Sequence, residues 1–223
     1  MADDERERRR SAVGELGAAL RDLADAAVRT EVGEDELAAA TAATRELTRA
    51  LGARSRELLQ IAAVDDPDAG ERWYSPVYGP GSPIAPPLVL APAASGTAIG
   101  RVTLRKPHEG PPGLVHGGVT TTLLDHVLAR AVRSAGHGGL TAQLTVRFRR
   151  PVRLGTPLVV TGELVSVEGR RATAVARVTT EAEPDVLLAE ADGLFVALRP
   201  ERAASVFAGT DRAVGAWTAT STD

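Results

Sequence analysis

The chain has 223 residues, 43% of them hydrophobic and 25% charged, enough to bury one core, so a single compact domain with an appendage is expected. A net charge of -3 and a pI near 5.9 supply no general field to draw in nucleic acid or an anionic membrane. The absence of cysteine excludes disulfides, thiolate metal sites and a thiol nucleophile, leaving oxygen as the only side-chain nucleophile expected.

From residue 1 to 62 the pattern is helical. Val13, Leu16, Leu20, Leu23 and Ala27 recur every three or four residues, as do Leu37, Thr44, Leu47, Leu51 and Leu58. With Gly33 between the two stripes and Asp35 as an N-cap, the reading is an antiparallel helical hairpin. Its narrow apolar faces must rest on something larger, as a packing or oligomer support or as a lid. The charged first residues, and the lack of any apolar run near 18 residues, argue against a signal peptide or membrane span and suggest a cytoplasmic protein. Residues 63–95 carry seven prolines, both tyrosines and Trp73, which reads as an extended connector pinned to the domain surface.

Residues 96–200 read as one α+β domain. Thr97 to Lys106 is a first strand, and a glycine- and proline-rich loop follows to Val115. From His116 to Ser134 the apolar residues Val119, Leu123, Leu124, Val127, Leu128, Ala131 and Val132 cover a broad arc, as in a helix nearly surrounded by protein. Four strand-like runs then follow, 140–150, 157–167, 171–181 and 187–198. Their short turns predict an antiparallel meander against the one helix. Residues 201–223 read as a tail.

The chemistry concentrates between Glu109 and Asp125. Gly117 and Gly118 open the central helix, where unpaired N–H groups and the helix dipole favour an anion or a polarised carbonyl. Asp125 lies between Leu124 and the Val127/Leu128 pair, where a carboxylate has no evident structural return and suits a general base. Pairing with His126 or an arginine is the structural alternative. Eight residues separate Gly117 from Asp125, about 12 Å along one helix, too far for both to act on one carbonyl and its water. The site therefore calls for two chains with their central helices side by side and antiparallel.

Other groups have two readings each. His116 is a general acid toward a leaving group or a fixture joining loop to helix. Thr141 orients water or fills a strand position. Leu144, Val146 and Phe148 alternate with Thr145, Arg147 and Arg149, and Arg150, Arg153, Arg170 and Arg171 are expected close by. Such a basic patch fits phosphates, or is a solvated face in an arginine-rich chain. No GxSxG elbow, phosphate loop or dinucleotide fingerprint occurs, and His108, His126 and His137 have no metal-ligand spacing, so neither metal nor cofactor is expected.

Glu109 to Gly118, the Leu-Leu-Asp ending at Asp125, the run from Thr141 to Pro151 and the Val-Glu-Gly-Arg ending at Arg170 together resemble the hotdog-fold acyl-CoA thioesterases, in the PaaI-like and thioesterase-superfamily-member branches. The resemblance covers about residues 73–200. It implies an antiparallel sheet wrapped around one helix, a homodimer or a tetramer of such dimers, and hydrolysis of an acyl-CoA thioester. By the same resemblance the family carboxylate falls on Asp125, as base or nucleophile, the carbonyl-binding amide on Gly117, the family histidine on His116 and the hydroxyl near the water on Thr141. Gly118, Arg147, Arg149 and Arg170 fall at substrate-binding positions. Some relatives carry an asparagine before the His-Gly-Gly as a second carbonyl donor; Glu109 to Pro112 provide none, so only the backbone donor carries over. Two other readings remain: a noncatalytic acyl-CoA or acyl-lipid binding module, and a hotdog hydratase, whose Asp/His motif is absent.

Overall fold

A computed structural model describes residues 3–66, 70–92 and 94–210. In chain order it contains α1 (Asp3–Arg29), α2 (Glu34–Gly52), β1 (Val89–Leu90), β2 (Thr97–Thr103), a single 3-10 turn at Lys106–His108, α3 (Gly117–Ser134), β3 (Leu140–Phe148), β4 (Pro157–Glu168), β5 (Arg171–Thr180), β6 (Ala189–Val196) and α4 (Pro200–Val206). The six strands form one antiparallel sheet in the order β1-β2-β4-β5-β6-β3.

The sheet wraps around α3 because its inner face is built from small residues. Ala172, Ala174 and Ala176 of β5, with Ala189 and Ala191 of β6, are buried beneath Leu123, Leu124, Val127, Leu128, Ala131 and Val132 of the helix. Gly162 of β4 marks the closest approach, where a Cβ would lie 2.6 Å from the Val127 carbonyl oxygen. Any side chain there forces helix and sheet apart.

The expected α+β layer around a central helix is therefore found, with two corrections. Strands β4, β5 and β6 do form a meander, but β3 does not join it at β4. It crosses to the far side, pairs with β6 from Leu140↔Val196 to Phe148↔Ala189, and leaves its other edge open. Strand-run patterns carry no information on which neighbour a run selects, so the shortest connection was the default and the wrong choice here. The helical hairpin also rests on the domain through one helix only. Val13, Gly17 and Asp25 of α1 are buried, whereas α2 buries no residue. Helix periodicity is equally strong in both and cannot tell a covered stripe from an uncovered one.

The connector is pinned as expected. Ala62, Val64, Trp73 and Tyr74 pack with Val13 of α1 in a small second core, while Leu88 joins the main core. Arg21 of α1 donates to the carbonyls of Pro80 and Ser82 at 2.8 and 2.7 Å. The segment expected as a tail opens with α4, whose Ala203 is buried, and residues 211–223 lie outside the described residues. No helix among the described residues is long and apolar enough to cross a membrane.

Candidate active site

His116 is the N-cap of α3, and its ring takes the part usually played by an aspartate or serine: Nδ1 accepts the Gly118 N–H at 2.9 Å. An accepting Nδ1 leaves the proton on Nε2, so this imidazole is neutral while it caps. Of the two readings for His116, the geometry supplies the fixture. It also separates the two glycines. The Gly118 amide is consumed by the cap, while the Gly117 amide donates to nothing among the described residues and stands free at the positive end of the helix.

Phe148, at the end of β3, packs against Gly117. A Cβ on Gly117 would sit 3.3 Å from the Phe148 ring, which is itself 57% exposed. Strand alternation places Phe148 on the same side as Leu144 and Val146, but nothing in the pattern points to the helix N-terminus as the thing it meets.

Two turns further along α3, Asp125 is half-buried, and its Oδ1 accepts a hydrogen bond from the Thr141 hydroxyl at 2.9 Å. A β-bulge makes this contact possible. The register of β3 against β6 shifts between Thr141 and Gln143, leaving Ala142 as an extra residue that re-aims Thr141 toward the helix. Asp125 is therefore not fully desolvated within its apolar helix: it is half-buried and held by a hydroxyl from the edge strand β3. Nor does it pair with its neighbour. His126 points the other way, its ring centroid 4.6 Å from that of Tyr78. Burial, with Arg133 and Arg130 nearby, pushes this imidazole down to about 4, and Nε2 is buried without a partner. His126 is a neutral packing residue at physiological pH.

Strand β3 thus runs antiparallel to α3, with Thr141 beside Asp125 at one end and Phe148 beside Gly117 at the other. Both groups belong to one continuous helix, so the spacing of about 12 Å between them stands. One chain does not bring the free amide and the carboxylate together.

The arginines are placed differently from the expectation. Arg147 and Arg149 do project on the opposite side of β3 from Phe148, but β6 meets them with acids. Arg147 pairs with Asp192, and Arg149 with Glu190 at 2.5 and 2.9 Å. The absence of acids between Gln143 and Thr161 had suggested an uncompensated patch; the compensating acids arrive from a strand about 45 residues further on. Arg170, in the β4–β5 turn, donates to the Ala197 carbonyl at 2.8 Å. Arg171 aligns through Val196 with Leu140, about 23 Å along β3 from Arg147. The cluster expected of Arg150, Arg153, Arg170 and Arg171 does not form within one chain, because the connection before β4 and the turn after it lie at opposite ends of that strand.

An antiparallel sheet wrapped around one long helix, with a free amide at the helix start and a hydroxyl-held carboxylate two turns on, defines a hotdog domain. The sequence model of the thioesterase superfamily matches residues 112–186. The crystal structure of a thioesterase superfamily protein superposes with a TM-score of 0.73 at 38% identity, covering 82% of this chain and 94% of that one. The chain belongs to the thioesterase superfamily. That 82% is more than residues 63–223 together provide, so the likeness reaches into the helical arm, beyond the 73–200 covered by the sequence resemblance. Acyl-coenzyme A thioesterase THEM4 from Bos taurus is 36% identical over 97 residues, 44% of this chain and 39% of that protein. Acyl-coenzyme A thioesterase 13 from Homo sapiens is 28% identical over 80 residues, 35% of this chain and 57% of that protein. The match to the THEM4 relatives thus spans about two fifths of their length.

Proposed function

We propose that this chain is an acyl-CoA thioesterase that works as a homodimer paired through the open edge of β3, or as a tetramer of such dimers. The observation that carries the reading is the division of labour along α3: a free Gly117 amide at one end and Asp125, held by Thr141, at the other. The edge itself supports pairing. Leu140 and Phe148 are exposed, Leu144 and Val146 are half-covered, and an unpaired apolar edge strand is a liability unless something adds to it. A twofold axis near Leu144 and Thr145 sets Thr141 and Asp125 of one protomer against the partner subunit's Phe148 and Gly117.

In the composite site the Gly117 N–H binds the thioester carbonyl oxygen and stabilises the charge that develops on it. Asp125, oriented by the Thr141 hydroxyl, removes a proton from water as the water oxygen bonds to the carbonyl carbon. Collapse of the tetrahedral intermediate breaks the C–S bond and releases CoA thiolate, which needs little protonation help. That agrees with His116 serving as a cap. In the nucleophile variant, Asp125 attacks the carbonyl itself and water then cleaves the resulting anhydride; incorporation of 18O from water into the enzyme under single turnover separates the two. Phe148 lies where the acyl group meets the helix start. Arg147 and Arg149, already paired, contribute to CoA phosphates only by exchanging partners.

The names of the relatives support an acyl-CoA substrate, and the superfamily model matched at residues 112–186 includes the segment bearing Gly117 and Asp125. A panel of acyl-CoAs assayed with a thiol-reactive dye tests the reading. Release of free thiol from at least one ester is expected. Tight binding of acyl-CoA with no thiol release from any member would instead identify a noncatalytic binding module.

A further inference from the structure

Asp25 is a buried carboxylate, 8% exposed, on an arm helix whose other side chains are mostly in water, and the chemistry proposed above makes no use of it. Taking a carboxylate out of water is costly, and an apolar residue would glue α1 down equally well. The position of its oxygens gives the reason. Oδ1 accepts the Lys106 N–H at 3.2 Å and Oδ2 accepts from Arg29 Nη1 at 3.1 Å. Lys106 opens the 3-10 turn, and the first N–H of any helical turn has no partner inside it. The preceding residue, Arg105, cannot supply an acceptor from its side chain, so a residue 81 positions upstream does so. Asp22, one turn earlier on α1, accepts from Arg105 Nη1 at 2.8 Å and fixes the same turn from its other side.

From that turn the connection to α3 is short and has no slack. The His116 N–H donates to the His108 carbonyl at 2.9 Å, and His116 caps the helix beside the free Gly117 amide. The intervening loop is closed on itself. Glu109 pairs with Lys106 at 2.6 Å and accepts the Gly113 N–H at 2.7 Å, and a Cβ on Gly110 would lie 2.8 Å from the His116 Cα. Asp25, Lys106, His108, His116 and Gly117 thus form one rigid succession from the arm to the carbonyl-binding amide.

We propose that Asp25 is a positioning residue for the carbonyl-binding end of α3, so that α1 is part of the active-site scaffold. Its effect on turnover rests on the thioesterase reading; its effect on the loop does not, and the two are measured separately. Hydrogen exchange followed by mass spectrometry on the full-length protein reads the loop. In Asp25→Ala the amides of residues 105–120 exchange about tenfold faster, while β4, β5 and β6 keep their protection. Asp25→Asn, which retains an acceptor oxygen, restores most of the protection. With the acyl-CoA turned over best by the wild type, Asp25→Ala lowers kcat about tenfold with KM nearly unchanged, because it displaces a donor used mainly in the transition state. Unchanged exchange at residues 105–120, acceleration spread over the whole domain, or equal damage from Asn and Ala overturns the proposal. If the wild type hydrolyses no acyl-CoA, the functional reading fails and the exchange experiment alone decides the role of Asp25.

Discussion

At its start α3 offers only backbone to a ligand, and everything around that backbone is locked: His116 caps it, the 109–115 loop closes on itself, and Phe148 packs against Gly117. Two turns later the helix offers a side chain, Asp125, held by one hydroxyl from an edge strand with a bulge. A dipole aimed at a carbonyl needs fixed geometry and no titratable group, whereas a base needs a proton acceptor with room for water beside it. The two ends supply those needs separately, and in the proposed dimer a second chain joins them.

The largest effect expected is from Asp125→Asn, which keeps shape and removes the acceptor charge: kcat falls by at least about a hundredfold with the fold intact. Gly117→Val blocks the other end and is equally inactive. Because the two lesions damage different halves of each site, mixing the inactive proteins under subunit exchange regains up to about a quarter of wild-type activity. No recovery, once heterodimers are seen by mass, breaks the comparison between the ends. Thr141→Val comes next. It removes only the bond that orients Asp125, so kcat drops about tenfold while Thr141→Ser stays near wild type; loss in Thr141→Ser with Thr141→Val near wild type would show that the methyl group matters rather than the hydroxyl.

Acid acts on the buried side of the same helix. His126 has an ordinary value of 6.5 when unfolded and about 4 when folded, so below 6.5 the unfolded chain takes up the proton first. Stability is therefore full above pH 6.5 and is lost as pH falls toward 4, by about 3 kcal/mol in all. Urea titrations should show that loss in the wild type and a flatter profile in His126→Phe. The smallest effects are expected from Arg149→Ala and Arg170→Ala. Their partners are already Glu190 and the Ala197 carbonyl, so KM rises by about threefold or less, more at low salt, and kcat holds. A collapsed kcat would place these arginines at the reacting centre.

Much of this was legible before any coordinates. The apolar arc from Val119 to Val132 marked the enclosed helix, and the spacing of Gly117 and Asp125 gave their separation along it. The neighbour chosen by β3 was not legible, since pairing across about 45 residues leaves no local trace. The fate of the arginine patch depended on that same choice, because Glu190 and Asp192 reach Arg149 and Arg147 only once β3 lies against β6. The bulge at Ala142 was hidden for a simpler reason: Thr141 reads as an ordinary strand residue, and only the register shift shows why its hydroxyl faces Asp125. Equal helix periodicity likewise concealed that α1 is docked and α2 is not.

The crossing of β3 also has a consequence during synthesis. This strand leaves the ribosome directly after α3, but Ala189 and Val196, which pair with its two ends, follow about 40 to 55 residues later, several seconds at ordinary elongation rates. Through that interval Leu144, Val146 and Phe148 have no strand on either side, although β4 and β5 can already close their hairpin. Nascent chains halted before residue 189 should therefore be trapped by hydrophobic-binding chaperones, and those halted after residue 196 has emerged should be released.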